Sequence, residues 1–320
     1  MSRPTHSSRR PGWHWSEYWQ SGRTEIMTVD TAQGPVTFDP GKAWTSFFTT
    51  FQDGARLIDL ATGGGQVARL GHAAAVAAGK SLDIVGVDYA DLGPNAGDLA
   101  PGLRLMGGVP LERLPFPDRS FDGASSQFGI EYADVRLAIG EVARVLKPDA
   151  RARFLIHHTE SAVSRAAVAQ TTAHDRVLPD DAAIQKARRA FGAHLKRLPP
   201  AGVRAAEDAF REAVRRAAAR LEPSDAFQPA RYHVDYLADL AGGLARYEPK
   251  SALARLDVFE AGVAAWRQRH RNQIKVALDR GGLDAFLQRS AGKGLETVDA
   301  AAEHDERGAL IAWRVDLRRN

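Results

Sequence analysis

The sequence is 320 residues long, with 43 Lys and Arg against 39 Asp and Glu, a net charge of +4 and no cysteine. That length buries a large core in one or two domains, and the missing cysteine excludes disulfides, thiolate metal sites and a cysteine nucleophile. Basic and acidic residues are mixed along the chain, which reads as a solvated Arg-rich surface rather than a nucleic-acid patch. No apolar run approaches the ~18 residues of a membrane span, so a cytoplasmic setting is expected.

Residues 1–12 are basic and polar with no hydrophobic segment behind them; disorder is expected, not a signal peptide. In the helix that follows, Trp15, Tyr18 and Trp19 share one face. Their rings either pack on the core or form a lid. Gly34-Pro35 and Pro40-Gly41 make residues 21–42 loop, and residues 43–51 read as a helix.

Leu57, Ile58 and Leu60 form an apolar run broken by Asp59 and followed by Gly63-Gly64-Gly65. This predicts a buried parallel strand, a tight turn, and a helix from Gln66 to Ala78. Glycines at 63 and 65 permit positive φ and close approach of a ligand, and the helix N-terminus points free N–H groups at it. The next strand, Asp83-Ile84-Val85-Gly86-Val87-Asp88, ends in an acid 23 residues after Gly65. A carboxylate at that offset accepts hydrogen bonds from ribose hydroxyls. Gly63-x-Gly65-x-x-Ala68 also fits the dinucleotide fingerprint, whereas no Gly-Lys-Ser/Thr follows, which removes a P-loop. Asp59, at the mouth of the strand, repels a pyrophosphate and attracts an ammonium group.

Residues 91–102 are rich in Gly and Pro, so any helix there is short or irregular. Residues 103–109 read as the third strand and its exit, residues 123–128 as the fourth, Asp134 as the N-cap of a helix over 134–146, and residues 153–156 as the fifth strand, delivering His157 and His158. Strand faces alternate, so only one of that pair can point inward. From about 160 to 280 the spacing is helical only: Val203, Ala206, Phe210, Val214, Ala217 and Leu221 form one stripe, with others at Leu237–Leu244 and from Leu253 to Trp266. This block is either a stability or homodimer element or a cap over the substrate. Arg267, Arg269, Arg271 and Lys275 read as a solvated face. Residues 295–300 and 310–317 close the chain as a hairpin.

Leu57-Ile58-Asp59-Leu60-Ala61-Thr62-Gly63-Gly64-Gly65 resembles motif I of class I S-adenosylmethionine-dependent methyltransferases. Gly86-Val87-Asp88-Tyr89-Ala90 resembles their motif II, residues 114–122 the lead into the fourth strand, and residues 141–148 the helix end before the fifth. The resemblance spans about residues 50–160 and, more weakly, the last thirty. Ala61 replaces a common glycine, acceptable if φ stays negative there, and Asp149-Ala150 replaces a Gly-Gly turn.

The resemblance implies a doubly wound, Rossmann-like seven-stranded sheet with an antiparallel last strand, interrupted by the helical cap. It implies S-adenosylmethionine held by Asp59, Ala61, Thr62, Gly63, Gly65, Asp88, Tyr89, Val109 and Gln127, with Tyr18 or Trp15 near the sulfonium as a cation–π partner. Glu112, or backbone at Gly108 or Val109, would meet the adenine. His157, His158, Glu131 and Tyr132 are the candidates for base or acceptor clamp, and no metal is expected. The expected reaction is methyl transfer to an O or N atom of a small-molecule acceptor. The rivals are an RNA-modifying enzyme, a cofactor-binding protein without chemistry, and a nicotinamide dehydrogenase.

Overall fold

The computed structural model describes residues 12–20, 29–31, 34–36 and 41–320. The expected disordered start, residues 1–11, lies outside the described residues, as does most of the stretch read as loop. Within that stretch β1 (Val29–Thr31) and β2 (Gly34–Val36) pair as a two-stranded sheet, which corrects the loop reading at those six positions. The chain divides into two compact units. One comprises α1 (Trp13–Gln20) with Pro35–Arg165 and Asn272–Asn320; the other is Ala166–Arg271 with Asp30–Gly34.

In the first unit, α2 (Gly41–Phe48) precedes β3 (Arg56–Leu60), α3 (Gln66–Ala77) and β4 (Asp83–Val87). Then come β5 (Gly97–Ala100), β6 (Leu103–Met106), β7 (Phe121–Gln127), α4 (Val135–Val145) and β8 (Leu146–His157). The sheet order is β5-β6-β4-β3-β7-β8, continued by β10 (Leu310–Arg319) and β9 (Leu295–His304). β6, β4, β3, β7 and β8 are parallel, and β10 runs antiparallel to both β8 and β9. The sheet therefore has eight strands, not seven. The extra strand is β5, antiparallel to β6 at the edge. It forms where Gly93-Pro94 permits a single 3₁₀ turn and Gly97, at φ 113°, turns the chain back.

Strand alternation sorts the core onto two faces. Ile58, Leu60, Val85 and Val87 pack with α4 and with Leu283 and Phe286; Leu57, Ile84, Leu105 and Leu155 pack with Trp44, Phe48 and Val67. Asp134 caps α4, its Oδ1 accepting from the N–H groups of Arg136 and Leu137. Arg144 at the end of that helix donates to the carbonyls of Leu114 and Phe116 and to Glu141 and Asp118, which pins residues 114–118 in place. The turn lacking Gly-Gly is made by Asp149 at φ 62°, a left-handed position that Asp tolerates better than most residues.

The second unit is helical: most of α5 (Ala162–Val177), then α6 (Ala182–Leu195), α7 (Pro200–Ala218), α8 (Gln228–Gly242) and most of α9 (Pro249–Val276). The predicted stripes bury Phe210, Val214, Leu237, Leu240, Leu244, Leu256 and Val263 in one cluster. Within it, His174 Nε2 and His233 Nδ1 lie 2.9 Å apart. Arg267 is not on a solvated face. It is largely buried and binds Asp181 and the Leu178 carbonyl. The chain then continues through α10 (Arg280–Ala291) to β9. Among the described residues no helix is long and apolar enough to cross a membrane.

Candidate active site

The carboxyl ends of β3, β4 and β7 open into one cavity of about 480 Å³ within the first unit, a size that accepts a small molecule. Asp59, Ala61, Thr62 and Gln66 line it from the β3 turn, Asp88, Tyr89 and Ala90 from β4, and Pro110, Leu111 and Glu112 from the segment after β6. Gln127, Phe128, Gly129 and Tyr132 follow β7, and α1 adds His14, Trp15 and Trp19.

Two buried carboxylates dominate its electrostatics. Asp59 Oδ1 accepts from the Ser125 hydroxyl at 2.7 Å and Oδ2 from the Thr62 hydroxyl at 2.5 Å. Asp88 Oδ2 accepts from Gly63 N–H and Oδ1 from Ala90 N–H, both at 2.8 Å. Burial pushes both carboxyl groups up to about 6, against the opposing pull of these donors. Among the described residues no Lys or Arg pairs with either acid. A ligand bearing a cation and a diol supplies what the protein leaves out: a charge for the carboxylates and donors for their remaining lone pairs.

The turn between them departs from expectation at one residue. Ala61 sits at φ 51°, not at negative φ; its methyl is accommodated because residue 129 is glycine, where an added Cβ would lie 2.4 Å from that methyl. Gly63 (φ 54°) and Gly65 (φ 83°) are required by their left-handed conformation and by packing. A Cβ at 63 would lie 2.3 Å from the Trp19 ring, and one at 65 would lie 2.5 Å from Leu105. Trp19 thus covers the glycine turn. α1 is fastened there by Ser16 Oγ, which accepts from Asp91 N–H at 3.0 Å, and by Asn95 Nδ2, which donates to the Trp19 carbonyl at 3.2 Å.

Of the predicted cofactor residues, Asp59, Ala61, Thr62, Asp88, Tyr89 and Gln127 line the cavity, whereas Gly63, Gly65 and Val109 shape the backbone behind it. Gln127 is held by Trp44, whose indole N–H donates to its Oε1 at 2.7 Å. Tyr18 does not line the cavity; it packs edge-on against Trp15 and Trp19. Glu112 does line it, with its Oε1 accepting from Asp134 N–H at 2.8 Å.

Of the predicted bases only Tyr132 reaches the cavity, and burial drives its phenol further from ionisation. His157 lies behind Phe128, ring on ring at 4.3 Å, because Phe128 at φ 54° turns across it. Burial lowers that imidazole to about 3. Glu131 is buried under the same layer, accepts from His157 N–H at 2.9 Å and is raised to about 7 by desolvation. His158 stacks on Trp313 at 4.3 Å, and its Nδ1 accepts from Glu160 N–H. His157, His158 and Glu131 therefore pack around the β8 end and do not line the cavity.

An aromatic wall and one distant side chain complete the cavity, and of these Phe128 and Asn272 carry no local sequence signal. Phe128 and Trp19 complete an aromatic wall in which Trp15 stacks on Trp19 at 6.3 Å and meets Tyr132 edge-on at 5.7 Å. Asn272, from the last turns of α9, faces the same space.

Residues 58–154 match the family model of a methyltransferase domain. The chain is 38% identical over 112 residues to the ubiquinone/menaquinone biosynthesis C-methyltransferase UbiE of Geobacter sulfurreducens, covering 33% of this chain and 43% of that protein. It is 30% identical over 139 residues to the 2-phytyl-1,4-naphtoquinone methyltransferase of Synechococcus elongatus, covering 40% and 58%. The chain thus spans about half the length of these curated relatives. Among solved structures, a methyltransferase from Mesorhizobium loti is 26% identical over 37% of this chain and 55% of that one, with a TM-score of 0.30.

Proposed function

With residues 58–154 belonging to the class I S-adenosylmethionine-dependent methyltransferase family, we propose that this chain transfers a methyl group to a small planar aromatic acceptor. The observation that carries the proposal is the pair Asp59 and Asp88: two buried acids at the ends of adjacent strands, facing one cavity with no Lys or Arg partner among the described residues.

The cofactor, when bound, supplies an electrophilic methyl group on a sulfonium. Asp88 accepts the ribose hydroxyls, while its hold on Gly63 and Ala90 keeps the two loops in register. Asp59, oriented by Thr62 and Ser125, attracts the ammonium group. Trp15, Trp19, Phe128 and Tyr132 exclude water and give an aromatic ring faces to lie against. Positioning of this kind contributes ~7–11 kcal/mol to a two-reactant step.

The acceptor atom is a ring carbon or an oxygen on that ring. Quinone C-methylation in the relatives supports the carbon, and His157 and His158, the imidazoles expected as bases, do not line the cavity. The helical unit as an element of turnover, a homodimer through it and a cytoplasmic setting belong to the same proposal.

The test is thermal melting with S-adenosylhomocysteine and with NAD, followed by incubation of labelled S-adenosylmethionine with hydroquinones and naphthols. A melting shift with the homocysteine alone, and label in a ring-methyl or methoxy product, are expected. A shift with NAD and none with S-adenosylhomocysteine overturns the reading.

A further inference from the structure

Trp44 lies on α2, ahead of the residues that match the methyltransferase model, and does not line the cavity. It is 0% exposed, with the rings of Phe47 and Phe48 packed on it at 6.1 and 6.0 Å. An indole N–H donates and cannot accept. The Gln127 atom facing it at 2.7 Å is therefore the amide oxygen Oε1, which turns the amide nitrogen the other way. Gln127 Nε2 donates to Gln66 Oε1 at 3.3 Å. The same logic then orders the second amide: its oxygen is engaged by Gln127, and its NH2 group ends the chain. Gln66 and Gln127 both line the cavity. An amide free to turn over shows a ligand its oxygen as readily as its nitrogen. Here one buried N–H sets the sense of two side chains.

The cavity has two buried carboxylates and, among its described lining residues, no Lys or Arg. S-adenosylmethionine carries a carboxylate beside its ammonium group, and Asp59 and Asp88 repel it. An arginine placed to hold that carboxylate would also pair with Asp59 and displace the cofactor's ammonium. Neutral amide donors bind a carboxylate without that competition.

We propose that Trp44 is a positioning residue for the carboxylate of the cofactor: through Gln127 it holds the NH2 group of Gln66 toward the cavity, where the two amides donate to that carboxylate. This rests on the methyltransferase reading above and adds to it how the amino-acid end of the cofactor is recognised. Asp59 takes the positive end of a zwitterion and the two glutamines take the negative end. A nucleoside that keeps the amine and lacks the carboxylate leaves the amide donors without an acceptor.

Calorimetry on the full chain compares S-adenosylhomocysteine with its decarboxylated analogue, which differs only in that group. The wild type is expected to favour S-adenosylhomocysteine by at least about tenfold, the order of a hydrogen bond to a charged group. In Gln66→Leu the preference is expected to fall below about threefold, with affinity for the decarboxylated analogue unchanged. Gln66→Glu keeps an oxygen toward Gln127 and replaces the NH2 group by negative charge, so the preference is expected to reverse. Trp44→Phe leaves both glutamines in place and removes the donor that orders them; it is expected to lower the preference at least about threefold. Because Trp44 is a core residue, Gln127→Met, which severs the same chain from the cavity side, is measured beside it. No preference in the wild type, or an undiminished one in Gln66→Leu, overturns the proposal. So does an undiminished preference in Trp44→Phe, or in Gln127→Met should Trp44→Phe not fold. Equal loss of both ligands in Trp44→Phe marks a structural role and overturns it as well. If S-adenosylhomocysteine does not bind the wild type, the methyltransferase reading fails and the assignment of Trp44 falls with it.

Discussion

The methyl of Ala61 and the missing methyl of Gly129 form a complementary pair, and exchanging them tests how rigid the cavity floor is. Gly129→Ala alone places its Cβ 2.4 Å from the Ala61 methyl, 3.1 Å from Ser126 Oγ and 3.4 Å from the Leu60 carbonyl. Ser126 cannot swing away freely, since its hydroxyl donates to Leu60 and accepts from Ile130 N–H. Overpacking of this kind costs about 1–3 kcal/mol. Ala61→Gly alone relieves a left-handed alanine at φ 51°, a gain of about 1–2 kcal/mol. About 0.4–1 kcal/mol of that is lost to the freer unfolded chain, so the net change is a stabilisation of about 0–1.6 kcal/mol. In the double variant the 2.4 Å contact vanishes and the tightest that remains is the 3.1 Å approach to Ser126 Oγ. The double variant is therefore expected to be more stable than the sum of the single changes predicts by about 1–2 kcal/mol. Urea unfolding of the four proteins, with unchanged slopes, measures it. Additivity within about 0.5 kcal/mol refutes the argument, because the two loops would then have moved apart instead of clashing.

Asp88→Ala orphans the N–H groups of Gly63 and Ala90, so it lowers stability as well as affinity. Asp88→Asn keeps one acceptor and is the cleaner variant, expected to weaken S-adenosylhomocysteine binding by about 2–3 kcal/mol in calorimetry; wild-type affinity would exclude Asp88 from the site. Because Asp59 and Asp88 titrate at about 6 in the free protein and bind ligand as carboxylates, affinity should fall as pH drops through 6, by at most about tenfold per pH unit per group. A flat profile from pH 8 to 5 would contradict that. His174 and His233 have imidazoles held below the ordinary value, chiefly by burial. The stability they contribute is complete above pH ~6.5 and is lost as pH falls below it. Melting temperatures should drop between pH 7 and 5, less steeply in His174→Gln, and equal slopes would remove the pair as the cause. Replacing residues 166–271 by a Gly/Ser linker should abolish turnover and retain cofactor affinity; normal methylation by that variant would make the helical unit a structural or dimer element.

The parallel core was legible because its signals are local. Leu57-Ile58 to Leu60 reads as a buried strand, Asp88 stands at the right offset, and Asp134 precedes its helix. β5 was not, because four edge residues with a half-exposed face carry no period of their own. The cavity lining was legible where it depends on strand ends: Asp59, Thr62, Asp88 and Gln127. It was misread where one backbone angle decides. Phe128 at φ 54° buries His157, and nothing in the histidine pair announces this. Ala61 was read as needing negative φ, because its accommodation lies at Gly129, far along the chain. Trp15 and Trp19 stood out as an aromatic face, but Asn272 joins them only through a long-range contact.

The order of the strands has a consequence for how the chain is made. β10 completes the sheet by lying between β8 and β9, with Ala312 opposite His157. Both closing strands are synthesised after residues 166–271. During that interval β8 is an open edge, a row of unpaired backbone groups of the kind that recruits other chains. The helical unit is nearly contiguous in sequence and dominated by contacts between successive helices, so it folds while that edge waits. β10 can cover that edge only once it has been synthesised. Aggregation during synthesis should therefore track how long β8 stays uncovered, and substitutions that speed folding of the helical segment should raise soluble yield without touching the active site.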